Sequence, residues 1–190
     1  MRITGGKARG IPIKAPRGDV TRPATDRMRE AVFSSLGAMV EGRRVVDLFA
    51  GTGAYGLEAI SRGARQVTFY ETNGNALACL KHNKAVVLKA CGLGMDVATI
   101  LACDVYALDA ASENADLIFI DPPYDAIESQ MERIFERADR QATAEAYVIL
   151  ELPGSLQHPE PKGWQMVRRF GKPKRDTPNA AIFERCQSAP

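Results

Sequence analysis

The sequence predicts an α/β protein built on a mostly parallel, doubly wound sheet of about seven strands. Short apolar runs rich in β-branched residues alternate along the chain with segments of helical periodicity, as in repeated βαβ units. A glycine-rich turn follows the first of these runs, and a pair of prolines follows the run at 115–120. Because ligands bind at the carboxyl edge of such sheets, we expect both turns to lie at a binding site.

The individual elements follow from the same patterns. Residues 2–4 and 11–14 are predicted to form a short N-terminal β-hairpin, and a helix is predicted from about Thr25 to Leu36. Further helices are predicted from the glycine-rich turn to Ile60, at 75–88, in a short piece before Ala115 and at 127–138. Strands are predicted at 44–49, 66–71, 97–101, 115–120, 146–152, 164–170 and 180–185. The last two strands have a short connection and are therefore expected to be antiparallel.

The length of 190 residues suits one domain with an ample core. We expect a basic hairpin extension over residues 1–20 and a single α/β domain over residues 21–190. No apolar run follows Met1, and no stretch approaches the roughly twenty apolar residues of a membrane-spanning helix, so neither a signal peptide nor an anchor is expected. The four cysteines form no Cys-x-x-Cys pair and are expected to be reduced thiols of a cytoplasmic protein.

Charge is unevenly distributed although the net charge is only +2. Residues 1–30 carry eight basic and three acidic side chains, and residues 162–176 carry six basic and one acidic. The intervening residues 31–161 carry ten basic and eighteen acidic side chains. Basic segments around an acidic body favour contact with a polyanion such as RNA and a cation-binding pocket between them. The alternative is a solvated basic surface that has no partner.

A glycine loop joins the first predicted strand to the next helix. The strand ending in Asp47 and Phe49 runs into Gly51-Thr52-Gly53-Ala54-Tyr55-Gly56, which has the Gly-x-Gly-x-x-Gly spacing, and Glu71 closes the following strand. Dinucleotide cofactors are bound by the same pattern, so a nicotinamide or flavin cofactor is one interpretation.

The acidic residues favour a different cofactor. Asp47 lies four residues before Gly51, and Asp104 follows the third strand. Acids at the ends of three neighbouring strands suit a nucleoside joined to an amino acid, with Asp47 toward the ammonium, Glu71 toward the ribose and Asp104 toward the adenine amine. S-adenosylmethionine has this constitution. Gly51 and Gly53 would let the backbone approach it closely.

The segment Asp121-Pro122-Pro123-Tyr124 predicts the second half of the site. Its prolines have fixed φ angles and donate no N–H, so the Asp121 carboxylate and the Pro122 carbonyl are held rigidly at a strand end. Rigid acceptors followed by an aromatic ring suit a planar base that presents an exocyclic amine, with Tyr124 stacking on the base. Phe49 and Phe119 are interpreted as core residues.

Three segments resemble the RsmD family of 16S ribosomal RNA guanine-N(2)-methyltransferases. They are Asp47-Leu-Phe-Ala-Gly-Thr-Gly-Ala-Tyr-Gly56, Asp121-Pro-Pro-Tyr124 and Arg22-Pro-Ala-Thr-Asp-Arg-Met-Arg-Glu-Ala-Val-Phe33. The resemblance implies a Rossmann-like S-adenosylmethionine-dependent methyltransferase fold, methylation of one guanine 2-amino group, and a small ribosomal subunit or its assembly intermediate as partner. The family's C-terminal Tyr-Gly-x-Thr element appears here at 171–177 with a threonine and no tyrosine.

RNA contacts are expected at basic side chains of the N-terminal segment, namely Lys7, Arg9, Arg22, Arg27 and Arg29. Methyl transfer from a sulfonium needs no metal, and no metal site is predicted. Three other interpretations stay open from the residues alone. The substrate amine could belong to adenine or cytosine of DNA or to a protein glutamine, and the chain could be an RNA-binding ribosome assembly factor without catalysis.

Overall fold

A computed structural model describes residues 1–16, 25–107, 114–122, 124–156, 159–172, 174 and 177–186, apart from the side chains of residues 25, 124–126 and 128. Several sequence predictions fall outside the described residues. They are the boundary between residues 20 and 21, Arg22, the Tyr124 side chain and most of the short helix expected before Ala115.

Seven strands of the described residues form one sheet. Their order across the sheet is β3-β2-β1-β4-β5-β7-β6. The strands β1 to β5 are parallel, whereas β7 is antiparallel to both of its neighbours. The bounds are β1 Arg44–Asp47, β2 Gln66–Tyr70, β3 Ala98–Leu101, β4 Ala115–Ile120, β5 Ala142–Pro153, β6 Trp164–Phe170 and β7 Pro178–Arg185. The predicted mixed α/β sheet with an antiparallel end is thus confirmed.

The described part of the chain contains four α-helices, of which the first precedes the sheet and the other three connect strands. Their bounds are α1 Thr25–Leu36, α2 Ala54–Ser61, α3 Gly74–Cys91 and α4 Tyr124–Gln141, and short 3₁₀ turns cover Gly37–Val40 and Met95–Val97. Asn73 caps α3, because its side chain accepts hydrogen bonds from the backbone N–H groups of Asn75 and Ala76. Gly92 ends α3 in the left-handed conformation, with φ of 70°.

The sequence located the elements but not all of their ends. The first strand stops at Asp47 and the second at Tyr70, so Asp47 closes its strand and Glu71 lies in the turn that follows. Helix α4 and strand β5 extend beyond the predicted ranges at both ends. Turn residues rather than helix follow Asp104 as far as residue 107.

The core lies on both faces of the sheet, because the strands alternate their side chains between two layers. Phe119 and Ile149 point to the face covered by α1, α2 and α3, whereas Ile118 and Val148 point to the face covered by α4. Toward the carboxyl ends of β1, β4 and β5, odd-numbered residues therefore share one face. This alternation of odd and even positions determines which side chains at the strand ends lie on the same face of the sheet.

Residues 1–16 are built into the first of these layers. The predicted hairpin reduces to a single bridge between Arg2 and Pro12, and the side chains of Ile3, Ala8 and Ile13 are buried. Glu58 of α2, itself fully buried, accepts hydrogen bonds of 2.8 Å from the backbone N–H groups of Thr4 and Gly5. The segment thus shares its core with the sheet.

None of the helices in the described residues combines the length and the apolar character that crossing a membrane requires.

Candidate active site

The acids predicted to hold a cofactor follow three strands that are neighbours in the sheet. The sheet order places β3, β2 and β1 side by side and parallel, so Asp104, Glu71 and Asp47 all lie at its carboxyl edge. Asp47 and Glu71 interact electrostatically. The structure therefore brings together the three acids that the sequence singled out.

Asp47 is a buried carboxyl group at the end of β1. Its Oδ2 accepts a hydrogen bond of 3.0 Å from the backbone N–H of Gly56, in the first turns of α2. Burial raises the pKa of Asp47 from 3.8 to about 7, opposed by the Gly56 hydrogen bond and reinforced by the negative charge of Glu71. A nearby cation would favour the charged form and reverse part of this shift.

Glu71 ties the turn after β2 to the glycine loop. One oxygen, Oε2, accepts from the backbone N–H of Gly51 at 2.6 Å, and Oε1 accepts from Thr72 and Asn73 at 2.7 Å each. A carboxylate has about four acceptor sites, so capacity for a further donor is left. Glu71 thus has a structural role that the sequence interpretation did not include.

Asp104 borders a cavity of about 180 Å³ between the ends of β2 and β3. Leu48, Phe49, Tyr70 and Val105 supply its apolar wall, and Glu71, Thr72, Cys103 and Asp104 its polar rim. One oxygen of Asp104 accepts from the N–H of Tyr106, which closes a local turn. A cavity with an apolar wall and an acid at its rim has the character of a purine site.

The glycine loop continues this edge toward β4. Gly53 precedes α2 with φ of 85°, and a Cβ atom there would lie 2.4 Å from the Leu80 side chain, so both conformation and packing require glycine. Gly51, with φ of 53°, faces open space. A ligand can therefore approach the backbone at Gly51.

A second cavity, of about 210 Å³, opens beside the loop. Asp121, Asp47 and Glu151 line it, together with Gly51, Thr52, Ala54, Tyr55, Phe49, Ala50, Arg29 and Met1. Asp121 is exposed at the end of β4, and Pro122 is buried behind it. Phe49 is half-buried, because it packs against the core and also lines both cavities, whereas Phe119 is fully buried as expected. Tyr124 begins α4 directly after this turn.

Two cavity residues, Tyr55 and Glu151, were missed from the sequence. Tyr55 lies in the first turn of α2, stacks on Phe119 with ring centroids 5.1 Å apart, and donates a hydrogen bond of 2.5 Å to Glu151. Glu151 stands near the end of β5 and is only 5% exposed. A single acid in the apolar run Val148-Ile149-Leu150-Glu151-Leu152 was the available signal, because a charge inside a buried strand needs a partner or a ligand.

Arg29 was expected to bind RNA, and the structure corrects this. Its side chain is 1% exposed, its Nη2 donates to Asp26 at 2.8 Å and to the carbonyl of Arg2, and its Nε lies 3.3 Å from Glu58. Burial leaves no surface for a phosphate group. Arg29 instead contributes a positive charge to the wall of the second cavity.

The other described basic residues of the N-terminal segment lie in different places. Arg27 is exposed on α1. Lys7 and Arg9 are exposed in the turn that packs on the C-terminal end of α2, where the N–H of Lys7 donates to Ser61. Since α2 starts at the carboxyl edge and runs about 12 Å away from it, this turn lies at the opposite edge of the sheet.

The second basic segment reaches the carboxyl edge. Residues 171–177 connect β6 to β7, and β7 begins opposite the end of β5, where Pro153 pairs with Pro178. Thr177 folds this loop by donating to the carbonyl of Lys174 at 2.6 Å, and Lys172 and Lys174 are exposed on it. The threonine of the loop therefore has a structural role.

A larger cavity, of about 670 Å³, lies at the far end of α4 and is lined by Glu132, Glu136, Asp139, Lys162 and Arg185 among others. Its lining includes neither the glycine loop nor the Asp121 turn. Within the described ranges, no group of three or more His, Cys, Asp or Glu side chains is arranged to hold a metal ion.

The sheet order and the acid-lined glycine loop define a Rossmann-like S-adenosylmethionine-dependent methyltransferase fold. Residues 1–175 match the family described as conserved hypothetical protein 95, and the chain belongs to this family, the RsmD family of methyltransferases.

Individual relatives agree with this assignment. The chain is 32% identical over 174 residues to YlbH of Bacillus subtilis (strain 168), provisionally named an rRNA methyltransferase, with 89% of this chain and 91% of YlbH covered. It is 36% identical over 124 residues to ribosomal RNA small subunit methyltransferase D of Escherichia coli (strain K12), covering 65% of this chain and 60% of that protein. The solved structure of yhhF from Escherichia coli, provisionally named a methyltransferase, is 28% identical with a TM-score of 0.79 and 97% of both chains covered.

Proposed function

We propose that this protein transfers a methyl group from S-adenosylmethionine to the exocyclic 2-amino group of a single guanine in small-subunit ribosomal RNA. The observation that carries the proposal is the cavity at the carboxyl edge, where Asp121 of the Asp-Pro-Pro-Tyr turn lines the same space as Asp47 and the glycine loop. The names of the relatives support ribosomal RNA as the substrate class.

The described residues fit S-adenosylmethionine. The ligand carries a net positive charge, and the two adjoining cavities are lined by five acids, Asp47, Glu71, Asp104, Asp121 and Glu151, with Arg29 as the basic residue. Asp47 would face the ammonium, Glu71 the ribose hydroxyls and Asp104 the adenine amine, while the backbone near Gly51 is open to approach. When bound, this cofactor supplies an electrophilic methyl group and takes back the electron pair of the carbon–sulfur bond.

The chain's own task is to make a poor nucleophile reactive, because the lone pair of a guanine amine is delocalised into the ring. The Asp121 carboxylate and the Pro122 carbonyl would accept the amine hydrogens and stabilise the positive charge that develops on nitrogen. Asp121, exposed toward the cavity, can then take the proton that the methylated amine loses and pass it to water. Tyr124, at the start of α4, would stack on the base and fix its plane.

The target guanine must leave its stack to reach this cavity. Extrusion costs a few kcal/mol from a paired position and less from an unpaired one, so we propose an unpaired or weakly paired guanine. Phosphate contacts and local RNA shape would supply the affinity for RNA, while the cavity would discriminate between bases.

The test is to identify the methylated nucleoside. Purified protein is incubated with isotope-labelled S-adenosylmethionine and, in separate reactions, small ribosomal subunits, naked ribosomal RNA and duplex DNA, followed by digestion and mass spectrometry. We expect 2-methylguanine at one RNA position and no labelled DNA, with Asp121→Ala as the inactive control. A main product of 6-methyladenine or 4-methylcytosine, or label retained in protein, would contradict the guanine assignment.

A further inference from the structure

Glu151 stands next to the proposed catalytic turn. In the parallel pair β4 and β5, Phe119 is aligned with Ile149 and Ile120 with Leu150, so the next aligned positions are Asp121 and Glu151. Their odd numbers place both side chains on the face covered by α2, and both line the second cavity. Two carboxylates from adjacent strand ends thus border the space assigned to the substrate base.

Tyr55 holds the Glu151 carboxylate in place. The Tyr55 ring is clamped by Phe119 and Phe33, with centroid distances of 5.1 and 6.2 Å, and its hydroxyl donates to Oε1 of Glu151. Burial, followed by the charges of Glu151 and Asp121, raises the pKa of Tyr55 well above its ordinary value, so the phenol stays protonated and keeps donating. A carboxylate held by a rigid donor presents acceptors in a fixed direction.

The edges of the three candidate bases differ beside the amine. Guanine presents N1–H next to its 2-amino group, so a protein site that recognises guanine needs two adjacent hydrogen-bond acceptors. Adenine and cytosine present a ring nitrogen lone pair next to their amines, and a carboxylate facing that lone pair would be repelled and left without a donor. A second fixed carboxylate therefore favours guanine over adenine and cytosine, because only guanine has a hydrogen on the ring nitrogen next to the amine.

We propose that Glu151 is the residue that selects guanine, by accepting a hydrogen bond from N1–H while Asp121 binds the 2-amino group. This inference rests on the proposed function, since it concerns the same cavity. It assigns to strand β5 the choice of base and to the Asp-Pro-Pro-Tyr turn the activation of the amine. Tyr55 is then a positioning residue that acts through Glu151.

The experiment changes the hydrogen-bonding group on the base and, separately, the group on the protein that faces it. The RNA substrate is ribosomal RNA assembled by splint ligation, with 2-aminopurine in place of the guanine whose methylation was identified in the preceding test. 2-Aminopurine keeps the 2-amino group but has a lone pair at N1. Glu151→Gln keeps an oxygen for the Tyr55 hydroxyl and offers an amide N–H to that lone pair. The ratio of single-turnover rates, guanine over 2-aminopurine, should fall by about 100-fold or more between wild type and Glu151→Gln. Taking this ratio cancels the different intrinsic reactivities of the two amines.

Controls separate base selection from a structural role. Tyr55→Phe removes the hydroxyl and keeps the carboxylate, so guanine should remain preferred, but by a smaller ratio than in wild type. The urea midpoint of Glu151→Gln should be close to wild type, and its affinity for S-adenosylhomocysteine is measured so that all rates are compared at cofactor saturation. Fluorescence of 2-aminopurine RNA, which increases on extrusion, should show tighter binding to Glu151→Gln than to wild type.

The outcomes are distinct. An unchanged preference in a folded Glu151→Gln variant overturns this inference while the proposed function stands. If Glu151→Gln does not fold, Tyr55→Phe decides, because a guanine over 2-aminopurine ratio equal to that of wild type also overturns the inference. A wild-type protein that methylates no guanine overturns the proposed function and this inference together.

Discussion

At the scale of single residues, Asp47 shows how burial prepares a group for a charged ligand. Its pKa of about 7 means that near neutral pH the unliganded carboxyl group is divided between its neutral and charged forms. Burial causes this shift, and a ligand ammonium would offset it. The proposed cofactor site is therefore coupled to proton binding.

Cofactor affinity should depend on pH through this residue. Because the ammonium favours ionised Asp47, binding of S-adenosylhomocysteine should strengthen as the pH rises from 5.5 to 7.5, approaching tenfold per unit below the Asp47 pKa and levelling above it. Calorimetry in buffers of different ionisation enthalpy should detect the released proton. Asp47→Asn should bind more weakly and without this dependence.

The same variant should be more stable at high pH. The folded pKa of about 7 exceeds the unfolded value of 3.8, so the folded state holds the extra proton between them and stability falls as pH rises through that window. Asparagine can still accept from Gly56, so Asp47→Asn should remove a penalty on the order of 4 kcal/mol at pH 8. Urea unfolding at pH 5 and pH 8 measures it, and a variant no more stable than wild type at pH 8 would contradict the burial argument.

Substitutions of Asp121 and Glu71 should affect catalysis and cofactor binding separately. Asp121→Asn leaves the glycine loop intact and should reduce single-turnover methylation by about 100-fold or more, with cofactor affinity changed by less than a few fold. Glu71→Gln disturbs three backbone donors and should weaken the cofactor first. Equal loss of cofactor affinity in both variants would place Asp121 in the cofactor site.

At the scale of elements, the two basic segments differ in their distance from the active edge. The loop between β6 and β7 lies at the carboxyl edge, whereas the turn of the N-terminal segment lies at the other edge. Proximity of phosphate-binding side chains to the cavity matters because the target base must enter it while its backbone is held.

Paired substitutions compare the two segments at equal charge. Lys172→Ala with Lys174→Ala should weaken RNA binding and lower the slope of log affinity against log salt by about 1.4 to 1.8, for two lost phosphate contacts. Lys7→Ala with Arg9→Ala removes the same charge from the far edge and should change the slope less. Fluorescence anisotropy across a salt series measures both, and a larger effect of the Lys7 and Arg9 pair would reverse the assignment.

At the scale of the whole molecule, Glu58 joins the N-terminal segment to the sheet layer. Its two oxygens are approached by the backbone of Thr4 and Gly5, the Thr4 hydroxyl, and the guanidinium groups of Arg29 and Arg62. A buried carboxylate with five donors is satisfied, and every one of those donors depends on it.

Removing that charge should destabilise the whole fold. Glu58→Gln replaces one acceptor oxygen with a donor against these N–H groups and should lower the free energy of unfolding by about 3–5 kcal/mol. Glu30→Gln, an exposed change of the same kind on α1, should stay within about 0.5 kcal/mol. Urea unfolding should remain one transition for both variants. A separate early transition in Glu58→Gln would mean that residues 1–16 fold independently of the sheet.

The sequence was informative where one local pattern determines structure. Alternating runs predicted the sheet, and the acids at strand ends predicted Asp47, Glu71 and Asp104 at one edge. It failed for Arg29 and Glu151, because burial of a charge depends on partners far away in the chain, such as Glu58 for the first and Tyr55 for the second. It also could not tell that Lys7 and Lys172 lie at opposite edges, since that follows from chain direction in three dimensions.

The position of β7 between β5 and β6 has a consequence for biosynthesis. The last of the seven described strands in chain order is inserted between two made earlier, and it supplies buried residues to both layers of the core. While the chain is still being translated, β5 and β6 therefore have exposed strand edges that are open to pairing with other nascent chains. The sheet can close only once residue 185 has emerged from the ribosome, so all of the other six strands are made before the sheet can form completely.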